Sequence, residues 1–187
     1  MNTNVHLIGI SGSLRKGSYN TLLLHTAAGL LPEHTTMEVA SIAELPLYNA
    51  DMDLPAAERP AVINSFRDQL SKADGLVIVS PEYNYSIPGG LKNAIDWASR
   101  GEDSPLLRKP VAVMGATPGM WGTARLQLAF QPVFLFLDMK PVFKPEVLIA
   151  QAKSKFDAQG NLTDNVARDL IKNKLAALKE LILQHRK

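Results

Sequence analysis

The chain has 187 residues, of which 46% are hydrophobic and 20% charged, with a formal net charge of +2. These proportions predict one globular domain over residues 1–187. The absence of cysteine excludes disulfides, thiolate metal sites and thiol catalysis, and the four histidines lack the spacing of a metal site. No apolar run reaches the about 20 residues of a membrane helix, no secretory signal pattern opens the chain, and Lys and Arg are not clustered as in nucleic-acid binders. We therefore expect a cytoplasmic protein that binds neither a metal, a membrane nor a nucleic acid.

Short apolar runs alternate with helical patterns along the chain, which indicates an α/β fold with a mostly parallel sheet covered on both faces. The predicted strands are Val5–Ile10, Met37–Ala40, Leu76–Val79, Val111–Gly115 and Val147–Ala150. Apolar residues at spacings of three and four predict helices between the strands and after the last one. These helices run over Asn20–Leu31, from Pro60 to Ala73, from Leu91 to Ala98 and from Asp164 to Gln184.

The segment between the second strand and the second helix, Ser41–Arg59, is long and has little periodicity. Long loops in compact domains are often functional. Leu47, Tyr48 and Met52 are therefore candidates for a wall of a substrate pocket, and packing beneath the loop is the equally good alternative.

The segment Ala124–Met139 is apolar nearly all the way round if it is helical. Such a helix is normally buried on all sides. It is either an internal helix kinked at Pro132 or an outer helix covered by another subunit. We favour the second interpretation and predict a homodimer or homotetramer. Arg125 either pairs with Glu146 across that interface or is solvated at the helix end.

The loop after the first strand carries the sequence GSLRKGSYN, residues 12–20. A glycine-rich turn that leads into a helix directs several backbone N–H groups to one point, at the positive end of the helix dipole. Ser13 and Ser18 add hydroxyls, Asn20 an amide, and Arg15 a guanidinium suited to phosphate oxygens. Because the loop contains donors and no acid, it predicts a site for a phosphate monoester.

Other phosphate-loop interpretations fit this stretch poorly. A nucleotide P-loop needs Lys and Ser/Thr directly after the second glycine, where Ser18 and Tyr19 stand. The spacing of Gly9 and Gly12 does not match a dinucleotide fingerprint. A phosphatase of this topology would need a cysteine, and a response regulator would need an Asp where Ser80 stands.

The loop after the third strand carries SPEYNYSIPGGLKNAIDW, residues 80–97. Ligands of open parallel sheets bind outside the carboxyl ends of the strands, so this loop and the first one face the same crevice. Pro81 and the two glycines fix the loop and let its backbone approach a flat ligand. Tyr83 and Tyr85 are suited to lining the wall of the crevice.

Together the two loops resemble the NADPH-dependent FMN reductase family, and among its members the bacterial NAD(P)H:quinone and chromate reductases. The resemblance covers nearly the whole chain. It implies a flavodoxin-like three-layer sandwich with a five-stranded parallel sheet of order 2-1-3-4-5, and FMN as the phosphate-bearing ligand.

The resemblance also assigns residues to the flavin. The phosphate would be held by Ser13, Arg15, Ser18 and Asn20, with the backbone of the same loop including Gly17. The edge of the isoalloxazine would lie along the segment after Pro81, mainly on the backbone of Glu82, Tyr83, Asn84 and Tyr85. Thr117 corresponds to the third flavin loop of the family, within the less typical segment GATPGMWGT. The side chain of Glu82 has an alternative role as a cap of the turn that follows it.

The activity that the resemblance implies is a two-electron, ping-pong oxidoreduction. NADPH or NADH would reduce the flavin, and a quinone, a free flavin or another small oxidant such as chromate would then be reduced in its place. Backbone N–H groups near Tyr83–Tyr85 or Thr117 would stabilise the charge of the reduced flavin. No side-chain acid or base is required, so no catalytic residue is predicted. A one-electron flavodoxin-type carrier and an FMN-based redox sensor remain as alternatives.

Overall fold

The computed structural model describes residues 3–186 and contains six parallel strands and six α-helices. The strands are β1 (Val5–Ser11), β2 (Thr35–Ala40), β3 (Gly75–Val79), β4 (Pro110–Ala116), β5 (Lys140–Pro141) and β6 (Leu148–Ile149). The helices are α1 (Tyr19–Ala28), α2 (Ala61–Lys72), α3 (Gly89–Ala98), α4 (Ala124–Ala129), α5 (Gln131–Phe136) and α6 (Asn165–His185). The strand order is β2-β1-β3-β4-β5, with β6 also paired to β4. The predicted fold class and order are thus confirmed, with one strand more than expected.

The sheet is the middle of three layers. The central strands β3 and β4 are buried along their whole length. One apolar cluster joins one face of the sheet to α2, α3, α4 and α5, with Phe66, Leu91 and Phe130 among its members. A second cluster joins the other face to α1 and α6 and includes Leu24 and Leu175. Burial on both faces explains why the central strands are continuous apolar runs in the sequence.

Polar side chains fix the starts of two helices. The Ser18 hydroxyl accepts from the Asn20 N–H (3.2 Å) at the start of α1, and the Asp164 carboxylate accepts from the Ala167 N–H (3.0 Å) at the start of α6. Such caps satisfy backbone donors that have no partner within a helix. No helix between residues 3 and 186 is long and apolar enough to cross a membrane.

The fifth position in the sheet is shared by two short strands, where the sequence predicted only Val147–Ala150. β5 pairs with β4 at Pro110 and Val111, and β6 pairs with it at Gly115 and Ala116. Between them the ammonium group of Lys174 donates to the carbonyls of Val142 and Phe143. In a continuous ladder the Val142 carbonyl would accept from an N–H of β4 instead. The Val142 N–H still donates to the Val111 carbonyl (2.8 Å), so the chain leaves the ladder after Val142. The contact of Lys174 at this point has a high sequence separation that strand patterns do not reveal.

The predicted helix Ala124–Met139 is two helices, α4 and α5, which meet at Phe130 rather than at Pro132. Pro132 lies in the first turn of α5, where its missing N–H costs nothing. Leu126, Phe130 and Phe134 face the core. The opposite side exposes Leu128, Leu135 and Phe136. The segment is therefore not internal.

Lys174 gives the folded state a defined pH dependence. Only 1% of this residue is exposed, and burial lowers the pKa of its ammonium group from 10.5 to about 8. Between these two values the unfolded chain binds a proton that the folded chain does not, so the free energy of unfolding rises with pH. We expect Lys174→Met to lose this contribution. Urea unfolding at about pH 7.5 and pH 9.5 measures this difference, since the two pH values lie on either side of the shifted pKa. The free energy of unfolding of the wild-type protein, relative to that of the variant, should be larger at the higher pH. An equal difference at the two pH values would contradict the assignment.

Candidate functional site

Three loops meet at the carboxyl edge of the sheet, after β1, β3 and β4. The strands β1 and β3 end level with one another, because Ser11 pairs with Val79, and β4 continues two residues beyond Met114, the partner of Val79. A cavity of about 400 Å³ lies between the three loops. Eight of the eleven predicted cofactor-binding residues line it, namely Ser13, Arg15, Ser18, Asn20, Pro81, Glu82, Tyr83 and Thr117. Gly17, Asn84 and Tyr85 belong to the same loops but do not line the cavity.

The loop after β1 is a cradle of hydrogen-bond donors. Within the described part of the chain, the N–H groups of residues 16–19 have no acceptor. The hydroxyl oxygens of Ser13 and Ser18 accept from the Arg15 and Asn20 N–H groups, which leaves both hydroxyl protons available. These groups converge at the start of the ten-residue helix α1, where the helix dipole favours an anion.

Arg15 adds a full positive charge to this cradle. Its guanidinium donates only to the Lys16 carbonyl (3.3 Å), and no carboxylate pairs with it among residues 3–186. An exposed guanidinium beside free N–H groups matches the oxygens of a phosphate monoester. The residues present therefore fit the phosphate of FMN.

Two glycines give the loop its shape. A Cβ at Gly12 would lie 2.2 Å from the Ser80 hydroxyl oxygen, so only glycine lets the first two loops approach this closely. Gly17 has a φ of +66° and open space around it, which exposes its backbone to a ligand.

The side chain of Asn20 is mostly engaged within the protein. Its amide nitrogen donates to the Ala116 carbonyl (2.9 Å), and its oxygen accepts from the Ala116 N–H (2.8 Å). One amide N–H is then left for a phosphate. Asn20 thus joins the first loop to the end of β4, a role that the sequence did not reveal.

The second loop contains a tight turn at residues 83–86. Tyr83 and Ser86 exchange two backbone hydrogen bonds of 3.2 and 2.9 Å, while Asn84 and Tyr85 have φ values of 50° and 63°. Left-handed backbone is unusual for tyrosine and often accompanies functional sites. The N–H groups of Asn84 and Tyr85 have no acceptor within residues 3–186.

In the third loop, the backbone N–H of Thr117 is already used within the protein. The Thr117 N–H donates to the Ile149 carbonyl (2.9 Å), and its hydroxyl accepts from the Gly119 N–H (3.2 Å). The Tyr83 N–H is used in the turn described above. Of the backbone donors expected along the flavin, those of Glu82, Asn84 and Tyr85 therefore have no acceptor within residues 3–186.

Glu82 and Arg125 form an ion pair beside the cavity. The Glu82 carboxylate accepts from the N–H groups of Arg125 (2.9 Å) and Leu126 (3.1 Å) and lies 3.4 Å from the Arg125 guanidinium. Glu82 thus caps α4, not the turn that follows it. Glu146 pairs with Lys144 (3.1 Å) in the same chain. Within one chain Arg125 is paired with Glu82 and is not simply solvated at the helix end. Its pairing with Glu146 across a subunit interface stays a prediction.

The 41–59 loop is anchored on α3. The Asn93 and Trp97 side chains both donate to the Pro46 carbonyl, at 2.9 and 2.8 Å. The ring of Tyr48 packs edge-on against Trp97, with 4.9 Å between centroids. Tyr48 therefore packs beneath the loop, while Leu47 is exposed.

A three-layer parallel sheet with an anion cradle at the first helix and an open cavity at the carboxyl edge defines a flavodoxin-like, FMN-binding protein. The sequence profile described as NADPH-dependent FMN reductase matches residues 5–154. The chain therefore belongs to the NADPH-dependent FMN reductase family, as the two loop motifs indicated. It is an oxidoreductase with FMN as its cofactor and NAD(P)H as its co-substrate.

Individual relatives cover nearly the whole chain. The chain is 48% identical over 178 residues to an NAD(P)H-dependent FMN reductase of Pseudomonas aeruginosa, with 95% of each chain covered. It is 41% identical over 186 residues to a quinone reductase of Escherichia coli K12, with 97% of each covered. Among solved structures, the flavoenzyme NAD(P)H:(acceptor) oxidoreductase FerB from Paracoccus denitrificans matches with a TM-score of 0.86 and 31% identity, covering 97% of this chain and 98% of FerB.

Arg15 provides a direct test of the phosphate cradle. We expect Arg15→Ala to weaken FMN binding by about 1.5–3 kcal/mol, or roughly 10- to 150-fold in Kd, because a charge-assisted hydrogen bond is lost. Titration of apoprotein with FMN, followed by flavin fluorescence, measures this change. Arg108→Ala is the matched control, since Arg108 precedes β4 and so lies at the amino ends of the strands, away from the cavity. Equal Kd values for the wild-type protein and Arg15→Ala would remove Arg15 from the site.

Proposed function

We propose that the protein reduces quinones and similar small, flat oxidants with electrons from NAD(P)H, in a two-electron ping-pong cycle. The observation that carries this proposal is the cavity itself, which has a donor cradle at one end and exposed apolar side chains around its mouth. A ligand anchored by its phosphate would present a flat ring system at the apolar end. The quinone reductase of Escherichia coli described above supports the same class of oxidant.

The three loops around the cavity carry large apolar side chains that are exposed to solvent. Five large apolar side chains of the three loops are exposed, namely Leu14, Tyr83, Tyr85, Met120 and Trp121. Contiguous exposed apolar surface often marks a binding site. Aromatic and aliphatic side chains around a flat cavity suit the rings of a nicotinamide and of a quinone, one after the other.

The roles of the residues follow from which of their polar groups are free. The Ser13 and Ser18 hydroxyls, the N–H groups of residues 16–19 and Arg15 would bind the FMN phosphate. The N–H groups of Asn84 and Tyr85 would donate to negative charge that develops on the ring system. When bound, FMN supplies the hydride chemistry, so the protein contributes position and electrostatics. Glu82, the one acid lining the cavity in the described residues, is used by α4. We therefore assign no catalytic acid or base.

The proposal includes other acceptors besides quinones. A wide cavity mouth does not select strongly by shape, so free flavins and small inorganic oxidants such as chromate are included as further acceptors. The mildly positive net charge favours a reductase over a one-electron carrier, since such carriers present acidic surfaces to their partners. The cytoplasmic location expected from the sequence stays a prediction.

One anaerobic experiment separates these functions. The FMN-loaded protein is mixed first with NADPH or NADH and then with benzoquinone, and the visible flavin spectrum is recorded at each step. We expect bleaching after the nicotinamide and full recovery after the quinone, without a lasting one-electron spectrum. No bleaching with either nicotinamide would favour a carrier or a sensor. Turnover far below the roughly 1–1000 per second of ordinary enzymes would favour the sensor.

We also propose that the protein is a homodimer or homotetramer. Leu135 is 85% exposed, and Leu128 and Phe136 lie exposed on the same pair of helices, α4 and α5. Apolar side chains grouped in this way are costly to leave in water. The same face of a second copy of the chain would bury these side chains in a symmetric interface, which is the commonest kind of contact in oligomers.

Light scattering after size exclusion tests the assembly. We expect a mass of two or four times 20.4 kDa for the wild-type protein. Leu135→Glu should shift the mass to that of one chain, because a charge would be buried without a partner. Val166→Glu is the matched control, since Val166 is exposed on α6. A wild-type mass of 20.4 kDa would contradict the proposal.

A further inference from the structure

The guanidinium of Arg125 lies against two exposed aromatic rings of the second and third loops and beside Glu82, which lines the cavity. Its Cζ atom is 4.0 Å from the centroid of Tyr85 and 4.9 Å from that of Trp121. Both rings are 68% exposed, so each has little other packing in the chain. A planar cation placed against two rings attracts both of them. Arg125 thus connects a residue of the second loop to a residue of the third.

Glu82 holds Arg125 in this position from the side of the protein. Thr123, which precedes α4, has a left-handed backbone and makes no capping hydrogen bond. Its buried hydroxyl has no partner within the described residues. The Glu82 carboxylate caps the helix instead and also meets the Arg125 side chain at 3.4 Å. Both the backbone and the side chain of Arg125 are therefore fixed by one carboxylate that lines the cavity.

The turn that carries Tyr85 has few contacts of its own. Its two backbone hydrogen bonds join Tyr83 and Ser86, and the two residues between them have left-handed backbone. For a tyrosine this conformation persists only when the surroundings hold it. Among the described ring contacts of Tyr85, the one with Arg125 is the only one. The arginine is thus the restraint on the Tyr85 ring.

We propose that Arg125 is a positioning residue for the oxidising substrate. It holds the rings of Tyr85 and Trp121 as a rigid wall, against which a flat aromatic oxidant lies when it enters the cavity, and Glu82 orients it. The inference rests on the proposed quinone reductase function. A rigid wall lowers the entropy lost on binding, so its loss raises KM for the oxidant and leaves the hydride chemistry unchanged.

Steady-state kinetics with benzoquinone tests this assignment. For Arg125→Met we expect KM for benzoquinone to rise roughly 3- to 30-fold, the range of a cation–π contact, with kcat and the FMN Kd changed less than about twofold. Glu82→Gln should change KM in the same direction, because the ion pair that orients Arg125 is weakened. Arg125→Lys keeps the charge but not the planar group, so its KM for benzoquinone should lie between those of the wild type and Arg125→Met. Arg108→Met is the matched control and should equal the wild type.

A double-mutant cycle separates positioning from a general structural effect. If Arg125 acts through Trp121, then Arg125→Met adds little to the KM of Trp121→Ala. Tryptophan fluorescence gives a readout independent of turnover, because Trp97 is fully buried and Trp121 is exposed. Acrylamide quenching of the exposed tryptophan should increase in Arg125→Met.

The outcomes distinguish this inference from the function on which it rests. Absence of quinone reduction by the wild-type protein would overturn the proposed function. An active wild-type enzyme with an unchanged quinone KM in Arg125→Met would overturn the positioning role alone. A loss of FMN binding in Arg125→Met and Arg125→Lys would also overturn it, since the arginine would then shape the cofactor site. If Arg125→Met does not fold, Arg125→Lys and Glu82→Gln carry the test.

Discussion

Two hydrogen bonds between the Asn20 side chain and the Ala116 backbone hold the candidate site together. Asn20 is 3% exposed and opens α1, whereas Ala116 ends β4, so the bonds cross a sequence separation of 96 residues. In a low-dielectric surrounding, a buried amide paired at both its oxygen and its nitrogen is strongly directional. The contact fixes the start of α1 relative to the sheet. Because the cradle consists of backbone N–H groups at that start, its geometry depends on this one side chain.

The polar groups around the cavity divide into those that build the site and those that are free to bind. Asn20, Ser80, Glu82 and the Thr117 N–H all have partners within the chain. The donors that we assign to the ligand lie in two places, at the start of α1 and in the 83–86 turn. Buried polar groups without partners are costly, whereas donors at the rim of an open cavity can remain solvated until a ligand arrives. The division therefore gives a rigid frame with an anion-binding end and a flat, weakly polar end.

Local patterns were sufficient to predict a parallel sheet and a donor-rich loop after its first strand, and the resemblance to the family implied the strand order. Apolar runs locate strands such as Val111–Gly115, and the donor-rich stretch after β1 has a local cause in the helix dipole. The contact of Lys174 between the two halves of the fifth strand and the capping of α4 by Glu82 were not predictable from those patterns. Both are contacts between residues more than 30 positions apart. The division of segment Ala124–Met139 into α4 and α5 at Phe130 was not predicted either, whereas its exposed Leu128, Leu135 and Phe136 agree with the favoured interpretation as an outer helix.

The shortness of α4 explains why its cap matters to the site. A helix of six residues has little stability of its own and depends on tertiary contacts at its ends and on its buried side. Here Leu126 packs into the core, Glu82 holds the first turn, and Leu128 is left exposed. Arg125 lies on the same helix and contacts the Tyr85 and Trp121 rings. The exposed Leu128 and the ring contacts of Arg125 therefore lie three positions apart on one short helix, so the apolar outer face and the residues beside the cavity share a single element.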